Sequence, residues 1–335
     1  MRGEITLAHG NGGEENRSLI SEIFFKHLKN EILEKAEDAA VVPFEKGENI
    51  AFTTDSFTVT PLFFAGGDIG KLSICGTCND LAMMGARPRY LSLAVMVEEG
   101  FSARELEKIV RSMKKELAKN GASVVCGDTK VMPKGTIDGV LINTTGIGET
   151  LIGGIGASKL REDDLIVVSR DIGAHGAAIF TAREGIELES SLESDCASLW
   201  PAVEALLDAG IEPHAMRDAT RGGVAAVVNE WAVSSGVCIE LEESKIPISQ
   251  SVRGICEMLG FEAVALANEG TFLLALSAED APKAVEILRS FEGNGSASVI
   301  GRVTGEYEGR ALLLSEWGTK RFLESPSGEL LPRIC

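Results

Sequence analysis

Long apolar runs are absent from this chain: none reaches the ~18 residues of a membrane span, so no membrane segment is expected. The opening stretch, MRGEITLAHGNGG, has no apolar core behind its charge, which argues against a secretory signal and for a cytoplasmic location. Basic residues are in deficit, 32 Lys and Arg against 50 Asp and Glu, for a formal net charge of -18. Generic nucleic-acid binding relies on neutralising phosphates with Lys and Arg, so that class is excluded. A nucleotide is not, because backbone amides and metal ions hold phosphate locally against the global field.

Cysteine is present without a framework. Seven cysteines are an odd number, scattered along the chain, which fits reduced thiols better than disulfides. Cys75 and Cys78 form the one close pair, CGTC, and no second pair stands at zinc spacing. Two small side chains packed on a helix explain it better than a metal. Two nucleotide fingerprints also fail. GGDIGKL resembles a Walker A loop, but Ala65 stands where its first Gly is required and Leu72 replaces Ser or Thr; GGIGAS lacks the spacing of a dinucleotide loop.

What is there is an α/β chain in two halves. With 335 residues, 44% hydrophobic and 24% charged, it is long enough for two domains with full cores. Helical periodicity runs through EENRSLISEIFFKHL, ARELEKIVRSMKKELAKNG and PAVEALLDAG, the last two closing on Gly. Short β-branched runs alternate with them: NIAFTTDSFTV, RYLSLAVMVE, ASVVCGD and GVLINTTGIG, then VCIELEE, TFLLALS and ASVIGRV. The small, flexible stretch GGIGASK, Gly153 to Lys159, marks the boundary. The expected division is 1–152, 153–324, and a flexible tail at 325–335 ending on Cys335.

Four features can carry chemistry. HGNGG, His9 to Gly13, offers backbone amides that can wrap an anion, though a flexible N-terminal loop has the same composition. Asp38, Asp55, Asp80 and Asp128 each end an apolar run, where carboxylates at a sheet rim can share magnesium ions bridged to phosphates. A single such Asp is ordinarily a cap or a turn; four together favour a metal site. DATRGG, Asp218 to Gly223, opens a helix with free amides and a positive dipole end, as does many an ordinary helix start. NEG, Asn268 to Gly270, is a turn unless Glu269 faces the cleft.

Taken together and in order, LAHGNGG, FTTDSF, GGDIGKLSICGTCNDLAMMGARP, CGDTKV, DATRGG, NEG and the terminal PRIC resemble the HypE family of hydrogenase maturation proteins. That family sits in the aminoimidazole-ribonucleotide synthetase (PurM-like) superfamily. The aspartates and DATRGG give only the superfamily; PRIC picks out the family. The resemblance covers essentially the whole chain, and Cys78 is the one departure, where a small or apolar residue is expected. It implies a PurM-like fold: an N-terminal α/β domain whose sheet forms a barrel across a homodimer, and a C-terminal α/β domain covering it. The apolar run RYLSLAVMV is then the expected pairing strand.

The resemblance also implies an activity. A carbamoyltransferase, HypF, carbamoylates Cys335; ATP and Mg2+ then dehydrate the thiocarboxamide to a thiocyanate, and the cyano group passes to iron in a HypC–HypD complex. Carried over by position, Asp38, Asp55, Asp80 and Asp128 are the Mg–ATP carboxylates. Gly10, Asn11, Gly12 and Gly13 form the phosphate loop, joined at the nucleotide by Asn79, Thr220, Arg221, Gly222 and Gly223. Lys130 and Glu269 are the polar pair beside the thiol of Cys335.

The chemistry is consistent with this. An amide oxygen leaves poorly until it is phosphorylated, and positioned cations do most of the work of phosphoryl transfer. A carboxylate such as Glu269 can take the amide proton, and a thiolate accepts a carbamoyl group readily. The eleven residues 325–335 span up to about 36 Å when extended, at ~3.3 Å per residue. Two other readings stay open: a scaffold that only assembles a maturation complex, and a phosphotransferase that acts on a free metabolite without Cys335. Selenophosphate synthesis fits less well, since no Cys stands near a Lys in the Gly-rich start.

Overall fold

The computed structural model describes residues 13–19, 21, 35, 37–43, 49–186 and 192–326. Gly10, Asn11 and Gly12 of the expected phosphate loop, residues 327–335 of the expected tail, and Cys335 with them lie outside the described residues. After a short helix α1 (Glu14–Leu19), the first sheet is built from β1 (Ala40–Pro43), β2 (Asn49–Phe57), β5 (Ala86–Glu98), β6 (Ser123–Met132) and β7 (Val140–Thr150). Between them lie a minimal hairpin, β3 (Phe63–Phe64) with β4 (Gly67–Asp68), and helices α2 (Ile69–Met83) and α3 (Ala103–Asn120). The strand order is β1-β2-β7-β5-β6, antiparallel throughout except β5–β6. A parallel pair needs a crossover, and α3 supplies it.

Period-two alternation sets the face of β2. Ala51, Thr53 and Phe57 turn toward the helices, while Phe52 and Thr54 turn outward. Helix α3 starts where the Ser102 hydroxyl accepts from the Glu105 amide and stops at Gly121, whose φ of 64° is left-handed. Helix α2 is different: it is buried on nearly all sides, wedged among β2, β7, α3 and elements of the second domain. An apolar circumference is what such a position requires. Cys75 and Cys78 are both fully buried there, as core side chains.

The glycines of GGDIGKL prove to be packing devices. A Cβ on Gly70 would stand 2.3 Å from the Ile109 carbonyl oxygen, so α2 and α3 touch only because it is absent. Lys71 Nζ donates to the Gly66 carbonyl of its own loop, at 2.8 Å.

The second sheet holds β8 (Leu165–Val168), β9 (Ala215–Asp218), β10 (Cys238–Glu242), β11 (Phe272–Leu276), β12 (Ser298–Thr304), β13 (Arg310–Leu314) and β14 (Lys320–Phe322). Their order is β14-β13-β10-β12-β8-β11-β9. Helices α4 (Ala174–Glu184), α5 (Trp200–Asp208), α6 (Gly223–Ser235), α7 (Gln250–Leu259) and α8 (Ala281–Arg289) accompany it. Ile166 and Val168 pack with Trp231 of α6 on one face, while Val167 packs with Trp200 and Leu206 of α5 on the other. Strands covered on both faces read as continuous apolar runs, as LIVV and FLLAL do.

Among the described residues the first sheet lacks that second cover. It is open there, with β1 and β6 at its edges, and no barrel closes among the described residues. The run RYLSLAVMV, expected as the pairing strand, lies inside the sheet between β7 and β6. Of the two edge strands among the described residues, β6 is exposed along nearly its whole length. Phe52, Tyr90, Val125 and Val131 are exposed large side chains of this domain.

Candidate active site between the domains

Three of the four expected aspartates converge where the two sheets meet. Asp55 sits on the helix-facing side of β2, and Asp80 closes the last turns of α2 opposite it. Thr53, two residues before Asp55, donates its hydroxyl to Asp80 Oδ2 at 2.8 Å, which fixes the carboxylate against the strand. Asp38 enters from the segment before β1, and Thr53 also donates to its backbone carbonyl, at 3.2 Å.

The second domain adds a carboxylate that the sequence reading took only as the start of the DATRGG loop. Asp218, at the end of β9 and buried, joins the three half-buried aspartates. Arg217 beside it forms ion pairs with Asp38 (Nε to Oδ1, 2.8 Å), Glu37 and Glu230. A charged pair, Arg217 and Asp218, closing a buried strand was the available signal for it.

These carboxylates repel one another. Burial raises the Asp38 carboxyl to about 7; Arg217 opposes the rise, and Glu230, Glu37 and Asp55 add to it. Burial likewise pushes Asp80 and Asp218 well up, each reinforced by its acidic neighbours. Asp55 is raised by burial too, restrained by a hydrogen bond with Asp80 and by Arg221. A carboxyl raised on folding holds its proton more tightly folded than unfolded. Its stabilising effect is complete below the ordinary Asp value of 3.8 and fades as pH climbs through about 7 for Asp38. The unliganded protein should therefore resist urea better near pH 6 than near pH 8, with a smaller difference in Asp38→Asn. Equal midpoints in wild type at the two pH values would contradict this.

Asp128 stands apart. The register runs from Asp55 through Thr144 and Leu93 to Gly127, so Asp128 projects from the opposite face of the sheet. Three strand spacings, about 14 Å, separate the two backbones. It is exposed on β6 and paired with Lys130 (Nζ to Oδ2, 2.9 Å), which holds its carboxyl below the usual range.

Lys130 and Glu269 therefore do not meet within one chain. Glu269 is buried in the second domain, in a turn gripped by Asp195. The Glu269 and Gly270 amides each donate to that carboxylate at 3.0 Å, and the Thr271 hydroxyl at 2.7 Å. Burial, then Asp218 and Asp195, push the Glu269 carboxyl well up. Asn79 is committed to holding the domains together: its Nδ2 donates to the Ala197 carbonyl (3.0 Å) and its Oδ1 accepts from the Leu199 amide (2.9 Å).

The DATRGG loop opens α6 beside this cluster. Gly222 and Gly223 have φ of 77° and 59°, and a Cβ on Gly223 would meet the Leu266 carbonyl at 2.5 Å. No side chain caps the helix; the Gly223 amide donates to the Thr220 carbonyl at 3.0 Å, which leaves the amides of Val224 and Ala225 to meet an anion. Thr220 is half-buried and Arg221 exposed at the loop tip. Gly13 is buried and its carbonyl accepts from the Arg17 amide at 3.1 Å. The last described residue, Pro326, lies against the loop: a Cβ on Gly222 would stand 3.6 Å from its Cγ. From there, nine residues lead to Cys335, a reach of up to about 30 Å.

Residues 36–150 match the AIR synthase related protein N-terminal domain, and residues 161–313 its C-terminal domain. Carbamoyl dehydratase HypE of Escherichia coli (strain K12) is 43% identical over 99% of both chains. That of Rhodobacter capsulatus is 40% identical over 99% of this chain and 98% of its own. Among solved structures, HypE in complex with ATP superposes with a TM-score of 0.83 at 39% identity, covering 99% of this chain and 100% of that one. The HypE–HypF complex gives a TM-score of 0.87 at 41% identity, covering 92% of this chain and 100% of that one. Thiamine monophosphate kinase of Aquifex aeolicus shares the fold at 20% identity, with a TM-score of 0.67 over 92% of this chain and 99% of its own. Identity at this level over the full length settles kinship: the chain belongs to the HypE family of carbamoyl dehydratases, within the AIR synthase related proteins.

Proposed function

We propose that this chain uses ATP to dehydrate a carbamoyl group carried on Cys335, supplying cyanide ligands for the iron of [NiFe] hydrogenase. The observation that carries the reading is the rooting of the tail at Gly222, between an uncapped helix start and a cluster of mutually repelling carboxylates. That cluster fits Mg2+. Asp38 Oδ2 is buried without a hydrogen-bond partner, and the raised carboxyls would be relieved by a divalent cation. Among the described residues no three His, Cys, Asp or Glu side chains enclose a metal by themselves. Mg2+ bound by a few carboxylates, with waters and nucleotide phosphates completing its shell, suits that arrangement. Asp38, Asp55 and Asp80 would hold the ion, which when bound neutralises charge on the transferring phosphoryl group.

The rest falls to the chain's own residues. The first amides of α6, with Thr220 and Arg221, take phosphate oxygens. The thiocarboxamide oxygen of Cys335 accepts the γ-phosphoryl group, and ADP leaves. Loss of phosphate with both nitrogen protons then yields the S-cyanate. Glu269, held rigid by Asp195, is the group placed to receive a proton once cation binding lowers its carboxyl.

A homodimer completes the reading. Two copies pairing through the uncovered sheet and the β6 edge would bury its apolar side chains and set Asp128 and Lys130 of one copy before the other. The carbamoyl donor would be HypF, and the acceptor an iron-bearing HypC–HypD complex. Among the described residues no helix is long and apolar enough to cross a membrane, in keeping with work in the cytoplasm. Protein carrying the S-carboxamide should convert about one ATP per tail, and unmodified protein none beyond background. Equal turnover by both would favour a phosphotransferase acting on a free metabolite.

A further inference from the structure

Arg217 is a buried cation, at 7% exposure. It sits on β9 in the second domain, yet two of its three carboxylate partners, Glu37 and Asp38, belong to the first. The third, Glu230, comes from α6 and holds Nη1 on another branch of the guanidinium. Glu37 is itself tied down, since its Oε1 accepts from the Ala157 amide at 2.9 Å, just past the domain junction. The guanidinium thus donates a hydrogen bond to Glu230 and faces the Asp38 and Glu37 carboxylates as ion pairs, a spread of contacts that the single ammonium of Lys cannot reproduce.

What this does to Asp38 is specific. Nε lies 2.8 Å from Oδ1 as an ion pair without hydrogen-bond alignment, while Oδ2 is buried and has no hydrogen-bond partner. One oxygen faces the guanidinium; the other is left for something the chain does not supply. Asp38 lies close enough to Asp55, Asp80 and Asp218 for each to feel its charge.

We propose that Arg217 is a positioning residue, holding Asp38 by Oδ1 so that Oδ2 is presented to the Mg2+ of the nucleotide, and coupling that orientation to contact between the domains. This rests on the Mg–nucleotide reading of the cluster. Partners that orient metal ligands typically matter by roughly 10–100-fold in metal affinity. In Arg217→Lys the charge stays but the ammonium can serve only part of the carboxylate set, so Asp38 turns.

The test is calorimetric titration of MgCl2 into protein holding ADP, beside titration of ADP without metal. Arg217→Lys should raise the half-saturating Mg2+ concentration of folded protein by about tenfold or more, with metal-free ADP affinity close to wild type, even where the urea midpoint falls with the lost ion pairs. A purely structural role would lower the midpoint and leave the Mg2+ dependence of folded protein unchanged, and that result overturns the proposal. Should the Lys variant not fold, Glu230→Gln carries the test. It keeps Arg217 and Asp38 and removes only the anchor on Nη1, so Mg2+ binding should weaken in the same direction but less; wild-type binding overturns the proposal. If wild type itself binds ADP with no Mg2+ dependence, the reading of the whole cluster falls, and that is distinguishable from failure of the Arg217 proposal alone.

Discussion

Replacing Cys335 by Ala should eliminate cyano-group formation while leaving the fold and Mg–ATP binding intact. Cys335 follows the last described strand, β14, by thirteen residues in sequence, and no described contact depends on it, so its loss should change stability by less than ~0.5 kcal/mol. Its chemistry has no substitute among the described cysteines. Cys75, Cys78, Cys196, Cys238 and Cys256 are buried, and burial raises the thiols of Cys78, Cys238 and Cys256, away from the thiolate a carbamoyl acceptor needs. Cys126 is exposed but fixed on β6. Rapid quench of ATP and assay of released cyanide equivalents would decide it. Product formation by the Ala variant, or a carbamoyl adduct on Cys126, would remove Cys335 from the reaction.

Asp80→Ala should show the opposite balance, a large loss of binding with no loss of stability. Burial and then the crowding of Asp55, Asp218 and Asp38 push its carboxyl up against one hydrogen bond from Thr53, so removing it relieves more strain than it forfeits in the unliganded protein. The same removal takes a ligand from the proposed Mg2+ site. The fall in Mg-dependent ATP affinity should be at least as large as the roughly 10–100-fold seen when only the partner of a ligand is changed. Function here is held at the expense of stability, as at many active sites. Asp55→Ala should behave alike. Asp128→Ala should lose binding only through the dimer. Mixing it with Asp80→Ala should then restore about a quarter of the wild-type sites, as expected when two copies pair at random and each site draws on both. Calorimetry on the single variants and the mixture reads all of this; no recovery on mixing would place Asp128 outside the partner's site.

How much of this was legible beforehand varied with the kind of signal. Strand β2 could be read from its alternation, and with it the side on which Asp55 falls. Cys75 and Cys78 could be read as core from their small, apolar surroundings. The two-domain α/β character followed from runs such as LIVV and FLLAL set between helical segments. Register could not be read. Asp55 and Asp128 look equivalent as carboxylates ending apolar runs, yet one residue of offset along β6 sends Asp128 to the other face. Strand β5 could not be placed within its sheet for a related reason: a rich apolar run marks an interior strand as readily as an edge one, and β5 lies between β7 and β6. Asp195 and Glu37 carried no local mark, because their roles exist only after the chain has brought residues 75 and 120 positions away against them.

The central claim is that the thiol of Cys335 is an internal substrate dehydrated at the expense of ATP. Mass spectrometry of the C-terminal peptide, after loading by the carbamoyl donor system and then a pulse of Mg–ATP, tests it most directly. The expected result is a carbamoyl adduct on Cys335 that loses the mass of one water in step with ADP release, and keeps it when ATP is replaced by a non-hydrolysable analogue. An adduct that persists unchanged while ATP is consumed would contradict the claim.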